Sequence, residues 1–201
     1  MKTAFLNFEK NLSNTKNITS LYSYIHSIVK PPMDYSDLLR WQWVQSLSSL
    51  DKLVHDLILR GMLEIYQSRR TATQKFNKFN IPLEISNEIK RNPLIETDLI
   101  EKQIIITNGF KSFQEPENIA DGLSYIWSEN HKWDKISLEM SETTHHVKTF
   151  LKNVAIRRNQ IVHEGDYPYN SYQRQSVLEE DINDILSFIS KLGRAIYDLV
   201  K

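Results

Sequence analysis

Arg157, Arg158, Asn159 and His163 fall within ten residues, RRNQIVHEGD, at the end of a helical pattern that Gly165 is placed to stop. Arginine stays charged and can hold an anion, whereas histidine titrates near neutral pH and can move a proton. Asn159 precedes His163 by four residues and so shares its helical face. The spacing alone carries little: an arginine followed by four to six residues and then a histidine is met from both Arg157 and Arg158 to His163, yet with 9 arginines and 6 histidines those three separations give about 0.8 matches by chance. The helix around the residues says more. Val147, Leu151, Val154 and Ile161 mark its apolar face, and Arg158 falls in the gap at the same spacing. A guanidinium there is costly unless it meets an anion, a water or a ligand. On an ideal helix Arg158 and His163 point about 140° apart, so the helix is expected to distort or end before His163.

Other polar groups stand at helical spacing. Asp51 and His55 lie four apart beside the stripe Trp43, Leu47, Leu50, Val54, Leu57; they read as supporting partners for Arg158 or His163, or as a polar pair at a helix edge. Lys148 and Lys152, one turn apart, could form with Arg157 a basic track toward a polyanion, or a solvated face. Glu142 with His145 and His146 lacks the further carboxylates that a bundle metal site needs, so no metal and no cofactor is expected.

The elements that must carry these groups are helical. Five glycines and 6 prolines in 201 residues leave little material for the turns of an all-β chain. The formal net charge is zero, so any contact with nucleic acid has to be a local patch. There is no cysteine, which excludes disulfides, thiolate nucleophiles and Cys-ligated zinc. No stretch approaches the length of a membrane span and the first residues lack a continuous apolar run, so no membrane is expected as a partner and a cytoplasmic location is.

Residues 1–30 read as an N-terminal helical extension packed on the main bundle, with a break near Asn14–Asn17 and a stop at Pro31-Pro32. A long helix runs from Tyr35 or Ser36 to Arg69, with Asp34, Ser36 and Asp37 as caps and Arg69-Arg70 at its negative end. Residues 71–94 form a loop with one short helix at 83–90. A helix follows at 94–110, although Ile104–Thr107 would suit a strand, and short helices lie at 119–127 and 132–138, with Trp127 and Trp133 in the core. Ser141 opens the motif helix and Ser176 caps a final one along Leu178, Ile182, Ile185, Ile189, Leu192, Ile196 and Leu199.

RRNQIVHEGD resembles the signature of the HEPN superfamily, and SLDKLVHDL at 49–57 with the terminal helix after a DYP turn is similar to its RiboL-PSP-HEPN branch. The resemblance runs from Tyr35 to the C-terminus, giving an all-α, HEPN-like domain over 31–201. It implies metal-independent cleavage of RNA with Arg158, Asn159 and His163 as the motif positions. In that chemistry the histidine takes a proton from the 2′-hydroxyl or gives one to the 5′-oxygen, and the arginine holds the phosphate oxygens. It implies a homodimer that brings two motifs together, a role as toxin or phage-defence effector, and an antitoxin or partner protein. HEPN toxins also carry a tyrosine two residues after the histidine, which a nucleotidyltransferase can modify; Gly165 stands there instead, with Tyr167 and Tyr169 beyond. The alternatives are a non-catalytic module that binds a protein or RNA and dimerises through the same face, and a structural role in which the motif is only an ion-pair network, with Arg157 and Arg158 paired to acidic residues.

Overall fold

A computed structural model describes residues 1–201 as eight α-helices without strands. They are α1 (Lys2–Tyr24), α2 (Asp37–Tyr66), α3 (Leu83–Arg91), α4 (Glu96–Asn108), α5 (Pro116–Leu123), α6 (Lys132–Glu139), α7 (Thr144–Glu164) and α8 (Glu179–Val200). The chain is all-α, as expected. No helix is long and apolar enough to cross a membrane.

The apolar stripe of α2 dictates the architecture. Leu47, Leu50, Val54 and Leu57 are fully buried, and so are Leu39 on the same face and Met62 and Leu53 to either side of it. A helix buried nearly all round needs neighbours on every side, and α2 has α1, α4, α5, α7 and α8 packed against it. The buried apolar residues, 38 in number, form one connected core that takes Ala4, Phe5, Phe8 and Leu12 from α1. At Gly193 of α8 an added Cβ would lie 2.3 Å from the Phe8 ring, so glycine is what lets α1 approach α8 this closely.

Several boundaries differ from the sequence reading, each for a local reason. α1 passes through Asn14–Asn17 without a break, since Thr15 is buried with its hydroxyl donating to Asn11 O at 2.9 Å and Thr19 donates to Gln42 of α2. It then loosens into a π-turn, Ile25–Val29, before the proline pair. Ile104–Thr107 is helical, with Ile104 in the core and Ile105 and Ile106 exposed. Trp133 is buried and donates to Pro116 O at 2.9 Å, but Trp127 is only half-buried and walls a surface hollow. Arg70 does not close its own helix: it donates to Val200 O at 2.7 Å and closes α8. Ser36 takes the N-cap position of α2, yet its hydroxyl accepts from Arg40 and not from a backbone amide. Thr143, not Ser141, caps α7, by accepting from His146 N at 3.2 Å, while Ser141 turns the chain at φ 57° after α6. The last helix starts at Glu179, where Asp181 accepts from Leu178 N at 2.8 Å; Ser176 has another role, described next.

Candidate active site

The C-terminal end of α7 is held by a buried ion cluster. Gly165 adopts the left-handed conformation (φ 63°, ψ 21°) that ends a helix, and Asp166 N–H reaches back to Gln160 O at 3.1 Å. The Asp166 side chain thereby turns inward and is completely buried. Its Oδ2 accepts from Arg40 Nε at 2.7 Å and from Arg157 Nη2 at 3.1 Å. Arg40 also donates to Gln175 O at 2.7 Å, and Arg157 donates to Ser176 O at 2.6 Å. The Arg157 guanidinium lies 4.8 Å from the centre of the Trp43 ring, whose own N–H donates to Val154 O at 3.0 Å. One carboxylate thus fastens the first turn of α2, the end of α7 and the chain leading to α8. Residues 165–178 are drawn in further by Arg174, which donates to Gly165 O at 2.9 Å and pairs with Asp37 at 2.6 Å.

The two adjacent arginines therefore part company. Arg157 is neutralised within the protein. Arg158 lies on the core side of α7, one turn beyond Val154 as its spacing required, and is half-buried. No carboxylate lies within 4.0 Å of it; its sole hydrogen bond goes to the neighbouring Asn159 Oδ1 at 3.1 Å, and its buried Nε has no acceptor. Arg158 thus stands on the core side of α7 as expected, and this chain supplies no anion to it.

His163 is exposed in the last turn of α7 and makes no hydrogen bond to the protein, and Asn159 is exposed beside it. The expectation that α7 distorts or ends before His163 is not met: the helix continues to Glu164, because Gly165 supplies the stop two residues later. Arg158 and His163 consequently diverge by about 140° around one regular helix. Asn159 is engaged with Arg158 and not with the imidazole. Gly165, at the position of the toxin tyrosine, is committed to a backbone conformation that side chains disfavour.

The other singled-out residues are placed elsewhere. Asp51 accepts from Phe113 N at 2.6 Å and from Gln114 Nε2 at 3.3 Å, and His55 bonds Lys111 O at 3.1 Å with its ring against Phe113. The pair anchors the loop between α4 and α5 to α2, and is not brought to Arg158 or His163; Asp51 is eleven residues along α2 from Arg40, about 16 Å. Asp51→Ala is expected to cost about 1.5–3 kcal/mol by stripping the Phe113 amide of its charged acceptor, read as a lower thermal midpoint with nucleic-acid binding unchanged. Lys148 pairs with Glu117 of α5 at 3.1 Å, and that hydrogen bond holds the Glu117 carboxyl below its usual range. Of the basic track only Lys152 is left exposed without a partner.

Sequence reading missed Arg40 and Asp166 as members of the site. The signal was present for one of them: Arg40 stands three residues before Trp43 and extends the buried stripe of α2.

A family model, RiboL-PSP-HEPN, matches residues 9–201. The chain belongs to the RiboL-PSP-HEPN family. The match takes in most of α1, so this HEPN chain resembles its family beyond the segment from Tyr35 that carries the motif. No curated protein and no solved structure matches it.

Proposed function

We propose that this RiboL-PSP-HEPN protein is a metal-independent endoribonuclease, acting as a toxin or defence effector, whose active site is completed by a second copy of the chain. The observation that carries the reading is the guanidinium of Arg158, which has no carboxylate partner although Arg40 and Arg157 are both spent on Asp166, on the same last turns of α7 as an exposed histidine. A phosphodiester is the anion that suits it. His163 removes the 2′-hydroxyl proton, O2′ attacks phosphorus, and the 5′-oxygen leaves with a proton from the His163 of the second copy; a 2′,3′-cyclic phosphate remains. Arg158 holds the non-bridging oxygens as charge gathers on them, and Asn159 holds the guanidinium.

A second copy supports this reading in two ways: Arg158 and His163 of one copy point apart, and one imidazole cannot easily be both acid and base at one phosphate. Ile156 and Val162, 47% and 46% exposed, flank Asn159 and His163 and give a self-association surface its apolar contacts. Val162→Asp is expected to yield a monomer by light scattering that cleaves RNA at least tenfold more slowly. A strictly monomeric wild type that still cleaves would refute the two-copy site.

The test of the reading is RNA incubated in EDTA with wild type and with His163→Ala. Cleavage by the first alone, leaving cyclic-phosphate ends, supports it. The alternative, a non-catalytic module binding RNA or an antitoxin-like protein, draws on the same divergence of Arg158 and His163; absence of cleavage of several RNAs by the wild type would favour it.

A further inference from the structure

At the other end of α2, about 40 Å from Arg40 by helix rise, the chain after that helix meets the α5–α6 connection around an open hollow of about 500 Å³. That volume suits a small-molecule ligand. Its walls are polar: Thr73, Lys75, Lys78, Ser124, Trp127 and Lys132 contribute to them. Thr73 fixes their geometry, donating to Ser124 O at 2.9 Å and Tyr125 O at 3.1 Å while accepting from Phe76 N at 3.0 Å.

Lys132 is the anomalous group. The residue is only 7% exposed, yet no carboxylate lies within 4.0 Å of its ammonium. Of its three donors one goes to the backbone oxygen of Glu129, and the Trp127 ring centre is 5.8 Å away, near the limit at which a ring face attracts a cation. The Glu129 carboxylate is turned aside, accepting from His131 N at 2.9 Å. Burial pushes the Lys132 ammonium below its ordinary pKa; the charges of Glu129 and Asp121 act the other way without overcoming it, and Lys75 adds to the push. Lys75 is paired with Asp121, and Lys78 is exposed without a partner. A buried ammonium with no carboxylate in contact is poorly compensated, and this one faces a hollow wide enough to admit an anion.

We infer that this hollow is a second binding site, distinct from the α7 motif, that takes a nucleotide unit: its phosphate between Lys132 and Lys78, its base along Trp127. The unit could be a free nucleotide or one residue of a longer RNA strand. The inference does not depend on the ribonuclease reading, and its test does not use cleavage.

The experiment titrates inorganic phosphate, 5′-AMP and a single-stranded RNA decamer into full-length His163→Ala protein, in which RNA stays intact, following tryptophan fluorescence and calorimetric heat. Saturable binding of 5′-AMP, weakening as salt rises, identifies a free-nucleotide site; binding of the decamer without 5′-AMP identifies a strand-bound unit. In either case Lys132→Met and Lys78→Ala each weaken binding at least tenfold. Lys132→Met leaves the thermal midpoint close to that of wild type, because it removes a desolvated charge that has one backbone acceptor and no carboxylate in contact. No saturable binding by any of the three probes overturns the inference, as does binding that both variants leave intact. Lys78, being exposed, tests the site without a folding risk.

Discussion

Replacing His163 by alanine is expected to lower RNA cleavage by about 10²–10⁴, the range for a positioned proton-transfer group, and Arg158→Ala by about 10²–10³, the range for a group that stabilises transition-state charge. Neither is expected to move the thermal midpoint by more than a degree or two downward. His163 makes no contact that alanine would break, and the one hydrogen bond of Arg158 is to the adjacent Asn159. Arg157→Ala provides the contrast. It loses the Asp166 pair, the bond to Ser176 O and the Trp43 stack, and is expected to cost about 2–3 kcal/mol of stability. The two adjacent arginines thus exchange signatures, activity for one and stability for the other. Initial rates on a labelled RNA in EDTA, with thermal melts of the same preparations, measure both. Equal melting losses for Arg157→Ala and Arg158→Ala would show that Arg158 is a structural cation and would remove the main support for catalysis.

What the sequence discloses and what it conceals follow from range. The stripe from Trp43 to Leu57 and the face from Ile182 to Ile196 are legible because helical periodicity is local and a core-facing helix repeats it over many turns. Gly165 is legible for the same reason, as a stop four residues or fewer from the groups it governs. Whether Arg157 or Arg158 is neutralised is not local. It depends on a carboxylate in the following turn and on Arg40, 126 residues before that carboxylate, and on Gly165 turning Asp166 inward. The caps misread at Ser141 and Ser176 are alike in one respect. Both have a rival acceptor a few residues on, Thr143 after Ser141 and Asp181 after Ser176, and neighbouring elements decide which is used. Asp51 and His55 look like site residues because polar groups at the edge of an apolar stripe are what sites are made of; they anchor a loop because Phe113 has to be brought to α2 and its amide needs an acceptor there. Lys132 is concealed altogether, since nothing in the run HKWDK says which lysine the fold buries away from any carboxylate.

The largest stability effect is expected at Asp166, a residue that contacts no substrate in the proposed reaction. Asp166→Ala leaves two guanidiniums facing each other in a space where the carboxylate was completely buried. Breaking a buried ion pair from one side typically costs about 3–5 kcal/mol, because the remaining charge stays desolvated. For a chain of this size that corresponds to a fall of roughly 6–20 °C in thermal midpoint. Only Ser36, Gln175 O, Ser176 O and the exposed Asp37 are left to accept from the two arginines. Asp166→Asn should recover part of the loss, since both guanidiniums use the same oxygen, Oδ2, and an amide oxygen can replace it as an acceptor without its charge. Oδ1 is buried without a partner, which leaves the amide nitrogen no acceptor and sets a limit on that recovery. A melting series of wild type, Asn and Ala in that order of stability supports the cluster as the clamp on α2, α7 and the 165–178 segment. If Asp166→Ala melts within 2 °C of wild type, the clamp is ornamental, and the positions of Arg158 and His163 would have to be set by α7 packing alone.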